Sequence, residues 1–422
     1  MSIPIFKIKK IPIFYFLFIG MLFFECKTNQ KKKANTMNEK STVTTYQNDI
    51  DFLKNHTQII ELAGEDGNAR IAVAPALQGR IMTSSASGNA GSSYGWINRA
   101  LFIAKDTLEH INAYGGEERF WLGPEGGQYS IFFKKGADFT LKNWQTPRLI
   151  DLAPFNVKTK TSNKVVFTKN AAITNYAGFQ FDMNIEREVS LLTNQEIRTE
   201  LGINNLEGLH TVGYSTKNTL TNSGKKDWKK ETGLLSIWLL GMFNHSPTTT
   251  IVVPYVSGDE SELGIAVNDT YFGKVPSDRL VVKENVIFFK GDGKYRSKIG
   301  LSPLRAKDIL GSYDATNNVL TLVTYNKPKG VTEYVNSMWE IQEQPYAGDV
   351  VNSYNDGAPA PGEKPLGPFY ELETSSPALE LEVGESATHI QYTFHIEGNK
   401  EKLSAISEKM LGVSLEEIHN AF

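Results

Sequence analysis

At 422 residues, with 44 Lys and Arg against 47 Asp and Glu, the chain carries a formal net charge of −3. That balance, with a pI near 6.2, argues against a nucleic-acid or acidic-membrane partner. One cysteine, Cys26, excludes an intrachain disulfide, a thiolate zinc site and CxxC redox chemistry.

Lys7, Lys9 and Lys10 precede a charge-free apolar run from Ile11 to Phe24, and Cys26 follows. This is the n-region and h-region of an export signal, and the run is short for a membrane span. Cys26 resembles a bacterial lipoprotein acceptor, although Phe24-Glu25 stands where two small residues are usual. An uncleaved N-terminal anchor is the alternative. On either reading residues 1–26 direct export, and the expected location is the periplasm or, for a lipoprotein, the outer membrane. Residues 27–45 are polar, Lys-rich and aperiodic, a flexible tether, which leaves 46–422 as one domain.

The domain opens with a short helical pattern between Tyr46 and Leu62, with Ile50, Leu53 and Ile60 on one side. Strand signals then take over. Residues 69–74 and 79–84 are short strand-like runs around a Pro-containing turn. In Phe181–Leu191 the odd positions are apolar apart from Arg187 and the even ones polar, the pattern of a half-buried strand. Leu320–Tyr325 and His389–Ile396 behave similarly. Gly330–Gly367 is the longest irregular stretch, of the kind that often carries function in a β domain. Leu403, Ile406 and Met410 recur at helical spacing, and Ser414 with Glu417 forms a capping box before Ile418. There is no GxGxxG, no P-loop, no alternating βαβ pattern and no internal repeat, and no cofactor is called for. The expectation is an all-β fold, a large antiparallel sandwich with short C-terminal helices.

Several stretches could carry chemistry. Gly123-Pro124-Glu125-Gly126-Gly127 is a tight turn that presents Glu125 between Trp121 and Tyr129. An aromatic surface beside a carboxylate suits a sugar, which offers an apolar ring face and hydroxyls that need acceptors. A packed turn with a solvated Glu is the plainer reading. Arg119 either anchors a ligand or pairs with Glu117 or Glu118. Read as a strand, Tyr334–Gln342 puts Glu340 and Gln342 on one face about 7 Å apart, ahead of Pro345, Asp349, Asn352, Tyr354, Asn355 and Asp356. A polar solvent-facing strand fits the same residues. Glu371 and Glu373 alternate with Leu372 and face one side together. They suit acid and base for glycoside cleavage, calcium binding, or a solvated edge. His389 and His395 share the polar face of their strand with Gln391 and Thr393, as cleft residues or, on the plainer reading, as an exposed face, and Asp227–Lys230 reads as a solvated loop tip.

Glu340-Ile-Gln342 followed by Pro345, Asp349 and Asn352 resembles the signature of aldose 1-epimerases, or galactose mutarotases, in which the Glu is the base. Ser376–Glu385, leading to His389 and Tyr392-Thr-Phe394, resembles the family's closing pattern, with Val383 in place of Pro. Gly116–Glu125 is similar to the glycine–arginine and tryptophan–proline segment of more distant mutarotase-like proteins. The whole chain resembles an exported mutarotase-like group from Bacteroidetes-type bacteria. The resemblance implies a β-supersandwich whose concave face binds a sugar, with Glu340 as base. Arg119, Trp121, Glu125, Gln342, Asn352 and Asp356 would then be the substrate ligands. The family's acid is a His in a Thr-Asn-His segment; here Asn218–Ser223 puts Ser223 in that place, and His210 is the candidate substitute. Three functions stay open: acid/base work at an anomeric centre, glycan binding without catalysis, and glycoside or uronate cleavage on the same cleft. The expected partner is a mono- or oligosaccharide.

Overall fold

A computed structural model describes residues 44–422. Cys26, the export segment and nearly all of the expected tether lie outside the described residues.

Three antiparallel sheets build the domain. The largest has ten strands, in the spatial order Leu280–Val282, Val286–Lys290, Thr249–Pro254, Ile309–Asp314, Val319–Tyr325, Ser386–Gly398, Leu209–Asn222, Gln180–Leu191, Lys164–Thr174 and Asn156–Lys160. The second has five, Ser297–Leu301, Val351–Asn355, Tyr370–Ser375, Ser236–Phe243 and Arg119–Gly123. A third, of Ile60–Ala63, Arg70–Ala74 and Arg80–Ser85, completes the expected all-β sandwich.

Alternation decides what each face does, because successive side chains on a strand point to opposite sides. On the five-stranded sheet, Phe120, Leu122, Ile237, Leu239 and Leu372 are buried toward the ten-stranded sheet. Glu118 and Thr374 point the same way and reach across it. Glu118 takes Arg187 at 2.9 Å and Gln391 at 2.9 Å, and Thr374 meets His389 at 2.8 Å. Buried polar groups cost free energy unless they find partners, and here they find one another. The C-terminal helices Lys400–Leu411 and Leu415–His419 cover the far face of the large sheet, packing Leu403, Ile406 and Ile418 on Val252, Phe288 and Phe394. The Ser414–Glu417 capping box is present.

Four expectations need correction. The first helix is Tyr46–Lys54, and Ile60 begins a strand instead of continuing it. Tyr334–Gln342 is irregular: its backbone bonds go to Pro345 and Tyr346 in the same loop, and the Asn336 side chain accepts from Met338 N, turning the chain where a strand would run on. His389 and His395 are buried between the sheets, not exposed; His395 bonds Glu117 at 3.0 Å and Thr321 at 2.9 Å. Desolvation pushes His389 down to about 3, so it stays neutral. Trp228 is no loop tip, since it packs under Phe181 at 5.2 Å between ring centres.

Candidate functional site

The outer face of the five-stranded sheet, turned away from the ten-stranded one, carries an unusual set of side chains. Arg119 and Trp121 share it with Trp238, Glu371, Glu373, Asn352, Tyr354 and Lys298, as the register requires: Trp121 stands opposite Trp238, Asn352 opposite Glu373, and Lys298 opposite Tyr354. Irregular chain covers this face. The Gly123–Gly127 turn and Trp144 close one side, and the loops around Tyr271 and Asp349 the other.

On this covered face Arg119 donates from Nη2 to Glu371. Glu373 Oε2 accepts from Lys298 Nζ at 2.9 Å and from Trp238 Nε1 at 3.0 Å. The Lys298 ammonium lies 4.8 Å from the Trp238 ring centre, and the Arg119 guanidinium 4.9 Å from that of Trp121, both in cation–π range. Trp121 and Trp238 meet edge to face at 5.7 Å. On the loop side Tyr271 donates to Asp349 at 2.5 Å and accepts from Asn352 at 3.1 Å.

Burial pushes the Glu371 carboxyl up to about 8, against the pull of Arg119 and with a further push from Glu373. Desolvation likewise raises Glu125, opposed chiefly by Lys298, and Asp349, opposed by its bond from Tyr271. Two carboxylates two residues apart thus sit in different company: Glu371 retains a proton at neutral pH, while Glu373 stands against an ammonium. Such perturbed, convergent groups mark functional candidates more often than chance, although ion networks also perturb one another.

Four buried polar atoms here have no partner. Arg119 Nε, Trp121 Nε1 and Glu373 Oε1 are orphaned, and Trp144 turns toward Glu125 without closing a hydrogen bond. Their residues are 3%, 4%, 0% and 7% exposed. An unmade hydrogen bond in the interior costs about 1–3 kcal/mol, so such atoms are rare and seldom cluster. Arg119 Nε and the Trp121 indole N–H, both donors, and a Glu373 oxygen, an acceptor, are thus left without a protein partner beside the touching Trp121–Trp238 pair.

Among the residues singled out from the sequence, Arg119, Trp121 and Asn352 are on this face, and Glu125 leans into it from the turn. Asp356 lies toward its far end, accepting from Tyr354 at 2.7 Å, and its charge is felt by Glu371. Gln342 is buried but spent: its amide donates to Asn336 O at 3.1 Å and Met338 O at 2.8 Å, clamping the loop onto the turn. Gly127, at φ +80°, leaves room for it, since a Cβ there would fall 2.7 Å from the Gln342 amide. Glu340 is exposed, because its neighbour Trp339 takes the inward side against Phe133 and Trp144. His210 is exposed on the ten-stranded sheet, and Ser223 is exposed just past the end of the same strand. The outer face of the five-stranded sheet does not bring these last three together with the others.

Lys298, Trp238 and Tyr271 escape sequence reading. Trp238 lies in Ser236–Phe243, buried at every position, where periodicity assigns no face.

The sheets define a large antiparallel β-sandwich with a covered polar face, carrying two tryptophans in contact, on its smaller sheet. Solved structures similar to it include a Synechocystis sp. protein, 12% identical over 81% of this chain and 96% of that one, with a TM-score of 0.48. Galactose mutarotase-like proteins from Lactobacillus casei (13% identity, 81% and 100% covered, TM-score 0.43) and Clostridium acetobutylicum (13%, 82% and 100%, 0.43) are similar too. The chain belongs to DUF6786, a family of unknown function, whose model matches residues 44–422. No curated protein matches it.

Proposed function

We propose that this face of the smaller sheet binds a sugar and that Glu373 and Glu371 act as base and acid at its anomeric centre. The unpartnered polar atoms of Arg119, Trp121 and Glu373 beside the Trp121–Trp238 pair carry this reading. Opening and reclosing an aldose ring needs a base on the anomeric hydroxyl and an acid on the ring oxygen. Glu373 Oε1 is free to accept the hydroxyl proton, and the raised Glu371 holds one to donate. Arg119 Nε and the Trp121 indole would then hold neighbouring hydroxyls. In this scheme a carboxyl replaces the histidine that the Thr-Asn-His segment would supply, and Glu340 has no part.

Glu373→Gln should abolish anomer exchange, followed by polarimetry or NMR, while sugar affinity stays within about tenfold; Glu340→Gln should change neither. Sugar binding by a wild type that exchanges no anomers would favour the non-catalytic reading, which the exposed positions of His210 and Ser223 also favour. Unaltered exchange in Glu373→Gln would remove this site from the reaction.

The N-terminal segment supports export and lipid attachment at Cys26. Cys26→Ser should abolish incorporation of labelled fatty acid and release the domain from membranes. Labelling of the variant at wild-type level would rule that out.

A further inference from the structure

We infer that Arg296, stacked on Phe272 at the open end of this face, is an anion-recognising group, and that the sugar bound there carries a carboxylate or phosphate substituent. This rests on the sugar-binding reading above and adds the chemical class of the ligand. Arg296 immediately precedes the edge strand Ser297–Leu301, one step of register beyond the Ser297–Asn355 pair and so opposite Asp356. Strand alternation puts it on the same side as Lys298, about 7 Å away along the chain. Its guanidinium lies 3.7 Å from the Phe272 ring centre, and Phe272 meets Tyr354 edge to face at 5.9 Å. Tyr354 leads on to Phe369 at 5.9 Å, and Phe369 to Trp96 at 4.7 Å. The ring that carries the guanidinium is therefore fixed to buried aromatics, while Phe272 itself is 45% exposed and keeps the group within reach of solvent.

Stacking uses the flat face of a guanidinium and leaves its N–H edge free. Here that edge is idle: Arg296 is half-buried, yet it makes no side-chain hydrogen bond or ion pair among the described residues. Every other described arginine that is not exposed makes at least one side-chain hydrogen bond. Deeper on the same face the two other cations are occupied, Arg119 with Glu371 and Lys298 with Glu373. The carboxyl opposite Arg296 does not close on it either, since Asp356 accepts from Tyr354 at 2.7 Å and from Gly367 N at 2.8 Å. Desolvation pushes Asp356 toward its proton-bearing form, which lowers its opposition to an incoming anion. A planar fork, positioned before the ligand arrives, matches the two oxygens of a carboxylate or phosphate and gives up little freedom in binding them. A neutral hydroxyl satisfies only part of the fork and gains nothing from its charge.

The test is a titration at pH 7 with glucose, glucuronate and glucose 6-phosphate, and with the galactose counterparts, of the wild-type protein and of variants that melt cooperatively. In at least one series an acidic sugar should bind the wild type about tenfold more tightly than its neutral parent, the carboxylate and phosphate arms showing which anion is preferred. Arg296→Gln should bring the acid down to the neutral level. Phe272→Leu, which takes away the ring that holds the fork, should narrow the advantage in the same direction. A wild type that binds neutral sugars and favours neither acid overturns the inference and leaves the sugar-binding reading standing. So does a full advantage for the acid in either variant. If no sugar, neutral or acidic, binds the wild type, the sugar-binding reading falls and takes the inference with it.

Discussion

Arg187 shows how one side chain can break a pattern for a physical reason. It stands on the apolar side of an otherwise alternating strand, and the structure places it fully buried. There it donates to Glu118 at 2.9 Å, Gly79 O at 3.1 Å and Asn218 at 2.5 Å. Removing one partner of a buried pair leaves an uncompensated charge, so Arg187→Met should cost about 3–5 kcal/mol in denaturant unfolding. A loss under about 1 kcal/mol would mean that Glu118 is content with Gln391 alone.

Glu371 ties residue chemistry to pH. Its folded value, near 8, lies above the unfolded value of about 4.3. Between the two the native state keeps a proton that the unfolded chain has released, so stability is fully present below about pH 4.3 and falls as pH rises toward 8. Glu371→Gln should flatten the decline in melting temperature between pH 5 and pH 8. Parallel declines in variant and wild type would place the titrating group elsewhere.

Elements differ in how much of them is local. The last helix depends on its capping box: Ser414 accepts from Glu417 N at 3.2 Å, while Glu417 accepts from Ser414 N at 2.9 Å. Ser414→Ala should therefore cost about 1 kcal/mol, read from the unfolding midpoint at constant slope. The Tyr334–Gln342 segment is the opposite case. Its alternation reads as a strand, yet no neighbouring strand offers it a ladder, and its backbone pairs within its own loop. Periodicity reports which side chains prefer burial; it does not report whether an edge is available to pair with. The error at Glu340 follows from that, because a turn at Asn336 reassigns every side chain after it.

At the scale of the whole molecule, the site arises where five strands far apart in sequence come side by side. Arg119 meets Glu371 across 252 positions of sequence, and Lys298 meets Glu373 across 75. Burying so many carboxyls against so few cations is poor economy for stability alone, since well-packed apolar residues of similar volume often do as well or better. That imbalance separates the outer face from the network on the sheet's other face, where Glu117 and Glu118 are fully partnered.

The amino-acid order alone determined the all-β class, the Gln180–Leu191 strand, the C-terminal helices with their cap, and the pairing of Glu371 with Glu373 on one face. Each depends on neighbours within a few residues, where period and capping chemistry act. The order of strands within the sheets, the burial of His389 and His395, the outward turn of Glu340 and the arrival of Lys298 and Trp238 beside Glu373 were decided only in three dimensions. Long-range sheet pairing chooses which faces are covered, and desolvation, the force that sets the chemistry of the outer face, acts only once they are.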